Sequence, residues 1–73
     1  MSKGMSKHEL LSRISIDPSF CFGKPCIRGH RIWVSLVLGL MASGWTVRDL
    51  LEQYPGIEEV DVLACIAYGA EVS

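Results

Sequence analysis

The chain has few aromatic residues and no long apolar run. Phe, Trp and Tyr make up 8% of its 73 residues. The longest apolar stretch, Ile32–Ala42, is interrupted by Ser35 and Gly39 and is much shorter than the roughly 20 residues that span a bilayer. The first residues also lead into no apolar segment of the kind found in a secretory signal peptide. We therefore expect a cytoplasmic protein without a membrane partner.

Basic residues are missing from the last third of the sequence. Every Lys and Arg lies at or before Arg48, whereas every charged residue from Asp49 onward is acidic. The formal net charge of −1 excludes a protein that binds nucleic acid through a strongly basic composition. The charge is instead segregated, with a basic first part of the chain and an acidic last part.

The three cysteines are an odd number, so they cannot all be paired within one chain. We expect free thiols in a reducing compartment. Cys21, Cys26 and His30 have the spacing C-x4-C-x3-H without a fourth ligand nearby, whereas structural zinc sites are nearly always four-coordinate. A catalytic thiol would also need an orienting acid and a cleft, which so short a chain hardly provides. We therefore predict no metal, no cofactor and no enzyme.

Apolar residues nevertheless make up 49% of the chain, which is more than so small a domain can bury. A domain of about 60 residues buries only about 60% of the surface that it exposes when unfolded. A contiguous apolar excess on a small protein marks a surface that another chain covers. We therefore predict a single domain that forms a homodimer.

Residue patterns divide the chain into three parts. Residues 1–13 are polar and either fray or form a short helix, and we treat them as a flexible N-terminus. Residues 14–34 are predicted to form a β-strand and basic loop region, in which strands at Ile14–Asp17 and Arg31–Val34 pair with each other. Residues 35–73 are predicted to form a domain of three helices.

Apolar spacing and stop signals give the bounds of the three helices. We expect the first from Val34 until Gly44 ends it as a left-handed residue, the second at Val47 to about Tyr54, and the third at about Glu58 to Val72. Thr46 and Asp49 have the spacing of a capping box at the start of the second helix. Short turns join the helices, and the last two fit a helix-turn-helix.

Five segments of the chain carry a recognisable pattern. They are Ile16-Asp-Pro, Gly23-Lys-Pro-Cys-Ile-Arg-Gly-His-Arg-Ile32, Ala42-Ser-Gly-Trp-Thr-Val47, Gln53-Tyr-Pro-Gly-Ile57 and Asp61-Val-Leu-Ala-Cys-Ile-Ala-Tyr-Gly-Ala-Glu71. Together they resemble the bacterial domain of unknown function number 433 family over residues 14–71. The resemblance implies a mainly α fold, in which short N-terminal β-strands precede a three-helix, homeodomain-like helix-turn-helix core. It also implies a VapB-type antitoxin whose partner is a PIN-like ribonuclease toxin.

The predicted basic loop holds most of the candidate binding residues. Lys24, Arg28, His30 and Arg31 are the densest group of basic side chains, and Arg pairs bidentately with carboxylates as well as with phosphates. Arg48 opens the second helix, where a helix-turn-helix commonly contacts the DNA backbone. We predict that these five residues bind the toxin or phosphates.

Structural roles for two of these residues are open alternatives. Arg28 could instead bond to nearby carbonyl groups or to Asp17. Arg48 could form an i, i+4 pair with Glu52, which is worth only a few tenths of a kcal/mol.

The last predicted helix has more apolar residues than one core face requires. Between residues 60 and 70 it is apolar at nearly every position except Asp61, although these positions could also simply be core. An aromatic residue in a turn is a suitable anchor for a partner. We predict a partner or dimer interface at Trp45, Val60, Leu63, Ala67 and Tyr68.

Two functions from different classes follow from these observations. The favoured one is an antitoxin that blocks the acidic site of a PIN-like ribonuclease, with binding of operator DNA as a secondary role. The alternative is a stand-alone helix-turn-helix transcriptional regulator, whose binding to operator DNA would weaken steeply with salt.

Overall fold

A computed structural model describes residues 6–72 of the chain. In chain order the elements are helix α1 at Lys7–Leu11, strand β1 at Ile14–Ser15, strand β2 at Cys26–Ile27, helix α2 at Val34–Ala42, helix α3 at Val47–Gln53 and helix α4 at Glu59–Val72. The prediction of a mainly helical protein with short strands near its N-terminus is therefore confirmed.

A capping box explains why the polar start of the chain forms helix α1. The Ser6 hydroxyl accepts a hydrogen bond from the Glu9 backbone N–H at 3.2 Å, and the Glu9 carboxylate accepts one from the Ser6 N–H at 3.0 Å. Helix α1 packs along helix α4, and Lys7 Nζ lies 2.6 Å from Glu71 Oε2. Of the two predicted alternatives for this segment, fraying or a short helix, residues 7–11 form the helix. Residues 1–5 of the predicted flexible N-terminus lie outside the described residues.

The two strands pair in a way that the sequence pattern did not indicate. Ile14 faces Ile27 and Ser15 faces Cys26 in an antiparallel pair, so the predicted strand at Arg31–Val34 is wrong. The reason is a tight turn at Gly29, whose φ is +84°, which brings Trp33 back against Cys26 as an isolated bridge.

Helices α2 and α3 begin and end close to the predicted residues. Gly44 follows the end of helix α2 with a φ of +107°, a left-handed conformation that glycine adopts without strain. Thr46 and Asp49 form the expected capping box, in which the Asp49 N–H donates to Thr46 Oγ1 at 3.1 Å and the Thr46 N–H donates to Asp49 Oδ2 at 2.9 Å. Hydrogen bonds from Thr46, above all the one from its backbone N–H, lower the pKa of the Asp49 carboxyl.

The core lies where helix α4 meets the other elements, since this helix contacts α1, α2, α3 and strand β1. One side of helix α4 is fully buried and packs against apolar residues from the strands and from helices α2 and α3. The largest fully buried side chains are Cys26, Ile27, Val37, Leu50, Val62 and Cys65.

Asp61 is the one buried charged residue among residues 6–72, with 5% of its surface exposed. Its Oδ1 accepts a hydrogen bond from Arg13 Nη1 at 2.9 Å, and its Oδ2 accepts one from the Glu58 backbone N–H at 2.8 Å. The first bond neutralises the carboxylate, while the second satisfies an N–H at the start of helix α4 that has no partner within the helix. Asp61 therefore joins this helix to the connection between α1 and β1.

Substitution of Asp61 by Ala should lower the free energy of unfolding by about 2–3 kcal/mol, because it removes a charge-assisted hydrogen bond and a helix cap together. Urea unfolding followed by circular dichroism measures this loss. The control is Glu59→Ala, which removes an exposed acid from the same turn and should cost less than about 1 kcal/mol. Equal losses in the two variants would contradict the role given to Asp61.

Candidate functional site

The loop at residues 17–33 contains a left-handed turn at two residues that are not glycine. The φ angles are +56° at Cys21 and +58° at Phe22, followed by +75° at Gly23, and a left-handed L-residue costs about 1–2 kcal/mol. The Gly23 N–H donates to the Phe20 carbonyl at 3.1 Å, and the Lys24 N–H donates to the Cys21 carbonyl at 3.0 Å. This turn leaves the Phe22 side chain 87% exposed.

Two cations of this loop lie over aromatic rings. Lys24 Nζ is 4.7 Å from the centre of the Trp33 ring, and Arg31 Cζ is 5.0 Å from the centre of the Phe20 ring. Both distances fall within the range of cation–π attraction. Within residues 6–72 neither cation forms an ion pair with a carboxylate. The two positive charges are thus held in place but are not neutralised.

Asp17 is the one acidic residue of the loop, and its carboxylate is hydrogen-bonded to a neighbouring residue, Ser19. Its Oδ1 accepts hydrogen bonds from the Ser19 backbone N–H at 2.9 Å and from the Ser19 hydroxyl at 2.8 Å. These two bonds, the one from the backbone first, lower the pKa of the Asp17 carboxyl. The pairing of Asp17 with Arg28, one of the open alternatives, is therefore absent from the described contacts.

A cleft opens beside the exposed ring of Phe22. Phe22 and Trp33 contribute two walls, with ring centres 6.4 Å apart and planes at 76°. The cleft has a volume of about 340 Å³, and its lining is Pro18, Ser19, Cys21, Phe22, Arg31 and Trp33. It combines aromatic surface, a hydroxyl group and a guanidinium group in one place. We call Phe20, Phe22, Lys24, Arg31 and Trp33 the loop cluster.

Arg28 joins the loop to the connection between helix α1 and strand β1. Its Nε donates to the Ser12 carbonyl at 2.9 Å, and its Nη2 lies 3.3 Å from the Ile14 carbonyl oxygen. Bonding to nearby carbonyl groups was one of the open alternatives for this residue. The guanidinium ties strand β2 to the end of the α1–β1 connection, so it positions the loop cluster without belonging to it.

The structure places the other two predicted binding residues on different parts of the fold. His30 is half-buried, and its ring lies beside Gly56 in the turn between helices α3 and α4. Arg48 is exposed on the first turn of helix α3, and its ion pair with Glu52 is absent from the described contacts. Of the five predicted binding residues, the cluster therefore brings together Lys24 and Arg31.

The predicted partner residues differ in how much surface they expose. Trp45 and Tyr68 are half-buried and pack against the core, while Val60 and Ala67 are half-buried on helix α4. Leu63 is 42% exposed, and Ile66, which the prediction did not include, is 41% exposed on the same helix. Helix α4 therefore presents an outward apolar surface, which we call the outer α4 face, formed by Val60, Leu63, Ile66 and Ala67.

The aromatic members of the loop cluster are absent from the predicted binding residues. Phe20, Phe22 and Trp33 were not singled out. The available signal was the presence of three aromatic residues on either side of the basic residues within Phe20–Trp33, since surfaces that bind nucleic acid combine aromatic and basic side chains. The conformation of Phe22 had no such signal, because nothing in its residue type favours a positive φ.

The three cysteines have unequal surroundings. Burial, and secondarily the charge of Asp61, raises the pKa of the Cys65 thiol to about 12. Burial and then the neighbouring Cys21 thiol raise the pKa of Cys26 to about 11, while Cys21 itself is half-buried. Over residues 6–72 no group of three or more His, Cys, Asp or Glu side chains is arranged to hold a metal ion.

Comparison with known proteins identifies one family. The sequence profile of a family described as protein of unknown function (DUF433) matches residues 14–69. The crystal structure of a DUF433 member protein from Anabaena variabilis has a TM-score of 0.80 and 31% sequence identity to this chain, with 89% of this chain and 64% of that chain covered. This chain therefore spans less than two thirds of that relative. No curated protein matches the chain.

Between residues 6 and 72, no helix combines the length and the apolar character that crossing a bilayer requires.

At pH 8 we expect Ellman's reagent to modify Cys21 rapidly in the native protein and to leave Cys26 and Cys65 unmodified until the chain unfolds. The reason is that the thiolate is the reacting species, and a thiol with a pKa of about 11 or 12 holds very little thiolate at this pH. Stopped-flow absorbance measures the reaction, and Cys21→Ser should remove the rapid phase. A rapid phase that persists in this variant would contradict the assignment.

Proposed function

We propose a function for this chain, which belongs to the family of proteins of unknown function DUF433. It is the antitoxin of a type II toxin–antitoxin pair, and it binds and blocks a PIN-like ribonuclease. The observation that supports this proposal most directly is the pair of cations Lys24 and Arg31, which lie over aromatic rings without a carboxylate partner among the described residues. Such a pair suits an acidic protein surface.

Charge is the first step of the proposed blockade. Nuclease sites that use Mg²⁺ hold the metal with carboxylates, and a Lys or Arg entering such a site supplies positive charge where metal and substrate would bind. Arg31 suits this role because guanidinium groups pair bidentately with carboxylates. In this proposal the chain is a binding protein and not an enzyme, since it acts by occupying its partner's site.

Apolar contact is the second step. Phe22 stands beside the two cations and is the most exposed large hydrophobic residue of the described chain. Aromatic side chains that become buried at the centre of an interface often dominate its binding energy. Phe22 therefore provides the anchor, and Lys24 and Arg31 provide the complementary charge.

The outer α4 face supports a homodimer as part of this proposal. Leu63 and Ile66 are each exposed to about two fifths and are three residues apart, so they lie side by side on the helix. Half-buried Val60 and Ala67 widen the apolar surface. A second copy of the same helix would cover this apolar surface, with the exposed Glu59, four residues before Leu63, at its N-terminal end.

Operator DNA is a secondary partner in this proposal. Helices α2, α3 and α4 are joined by short turns, and α4 contacts both of the others, which is compatible with a homeodomain-like helix-turn-helix. However, Glu58 and Glu59 are exposed at the start of helix α4, where they would repel phosphates. We therefore assign any DNA contact to Arg48 on helix α3 and favour the antitoxin over a stand-alone transcriptional regulator.

Co-expression with a PIN-like ribonuclease encoded in the neighbouring reading frame should relieve its toxicity and yield a stable complex. Lys24→Gln should weaken the complex about tenfold or more, and the double variant Lys24→Gln/Arg31→Gln further still, because each change removes a cation that faces carboxylates. Isothermal titration calorimetry with the purified ribonuclease measures these affinities.

The matched control for this experiment is Lys7→Gln, which removes one positive charge from helix α1 and should leave the affinity unchanged. If wild-type protein neither binds the ribonuclease nor relieves toxicity, the antitoxin proposal is wrong. If binding occurs but the loop variants bind as tightly as Lys7→Gln, the contact surface is wrong.

Sedimentation equilibrium should show a dimer for the wild-type protein and a monomer for Leu63→Glu/Ile66→Glu. The reason is that burying two new carboxylates without partners in the outer α4 face is strongly unfavourable. Leu36→Glu is the control, since Leu36 is exposed to a similar extent, 40%, on helix α2. A wild-type monomer, or a dimer that survives the double substitution, would exclude this face as the dimer interface.

A further inference from the structure

We infer that the cleft beside Phe22 binds a nucleotide, with its base against the aromatic walls and its phosphate at Arg31. This inference does not rest on the antitoxin proposal, because it follows from the geometry of the cleft. The ligand chemistry is a flat heteroaromatic ring joined to a phosphate. A free nucleotide and a unit of single-stranded nucleic acid share this chemistry.

The exposed ring of Phe22 provides the stacking platform. Stacking of bases on aromatic side chains is the main sequence-independent contribution to binding of single strands. Phe22 is 87% exposed, so neither face of its ring is lost within a packed core. The left-handed backbone at Cys21 and Phe22 holds the ring outward, and such strained residues occur often at ligand-binding sites.

Trp33 provides the second wall and defines the shape of the space. Its ring plane makes an angle of 76° with that of Phe22 at a centroid distance of 6.4 Å, so the two rings form a corner. A planar base that stacks on one ring presents its edge to the other, an arrangement that aromatic groups favour.

The cations lie where a phosphate would need them. Arg31 lines the cleft itself, and its position over the Phe20 ring orders the guanidinium before a ligand arrives. Lys24 lies over Trp33 and adds a second positive charge next to the same wall. Asp17 is not part of the lining, and its carboxylate is occupied by the two hydrogen bonds from Ser19.

The volume of the cleft agrees with a ligand of this size. About 340 Å³ is at the lower end of the range for small-molecule sites, roughly 300–1,000 Å³. In this inference the cleft holds one nucleotide unit. Neighbouring units of a strand would lie outside it, where Lys24 can meet their phosphates.

The test uses the full chain and a fluorescein-labelled 12-mer of oligouridylate, with fluorescence anisotropy measured at low salt. We expect saturable binding that weakens with salt. Phe22→Ala should weaken it about tenfold or more through the loss of base stacking, whereas Phe22→Trp should retain it. Arg31→Gln should weaken it and reduce the slope of log K against log salt by about 0.7, the value for one phosphate contact on a single strand.

Two control variants change an apolar side chain and a cation outside the cleft. Leu36→Ala removes an exposed apolar side chain from helix α2, and Lys7→Gln removes a cation from helix α1; both should bind as the wild type does. Phe22 is exposed, so Phe22→Ala should keep the wild-type circular dichroism spectrum, which confirms that a loss of binding is not a loss of fold.

Unlabelled uridine monophosphate distinguishes the two sources of the ligand. If it displaces the oligonucleotide and quenches Trp33 emission in a Trp45→Phe background, the cleft binds free nucleotides. If the oligonucleotide alone binds, the ligand is a single strand. No anisotropy change with the wild-type protein, or equal binding by Phe22→Ala, overturns the inference. Because the ribonuclease complex is measured separately, this failure leaves the antitoxin proposal standing.

Discussion

The buried carboxylate of Asp61 is the interaction on which the arrangement of the whole chain depends. It fixes the start of helix α4 through the Glu58 N–H and holds Arg13 at the beginning of strand β1. The backbone carbonyl of Arg13 in turn accepts the Arg28 N–H at 2.7 Å, and the Arg28 side chain binds the two carbonyls before and within β1. A continuous set of hydrogen bonds thus connects the core helix to the base of the exposed loop.

Three acidic side chains of the chain are engaged as helix caps. Glu9, Asp49 and Asp61 each accept a backbone N–H at the start of a helix, and of these three Asp61 is the buried one. A carboxylate in that position also interacts favourably with the positive end of the helix dipole and so stabilises the helix. Acids engaged in this way are not available to neutralise Lys24 and Arg31. The loop cations therefore lie over aromatic rings and remain able to attract a negatively charged ligand.

The parts of the fold that could be predicted are those governed by local sequence. Helices α2, α3 and α4 have bounds close to the expected ones because apolar spacing, a capping box and Gly44 act within a few residues. The error in strand β2 has a non-local cause: Cys26 and Ile27 are both buried, so their strand shows no alternation of apolar and polar residues. Their pairing with Ser15 and Ile14 depends on the turn at Gly29 and on contacts across the fold.

The loop cluster was beyond sequence reasoning for a related reason. The two cation–ring contacts and the perpendicular ring pair join residues up to eleven positions apart. They depend on the left-handed turn at Cys21 and Phe22. Residue types alone indicated that this loop is basic. They predicted the same binding role for Arg28 and His30 as for Lys24 and Arg31. The hydrogen bonds of Arg28 to carbonyl groups show that cations close in sequence can have separate structural and binding roles.

An acidic protein surface and a nucleotide would compete for the same part of this molecule. Both ligands place negative charge at Arg31, and both cover the ring of Phe22, so one chain cannot hold the two at this surface together. Binding at a shared set of cations makes the occupancy by each ligand depend on the concentration of the other. A ribonuclease and a nucleotide, the kind of unit on which a ribonuclease acts, would then be linked through one surface. The competition between the two ligands would arise because both need the same preorganised cations.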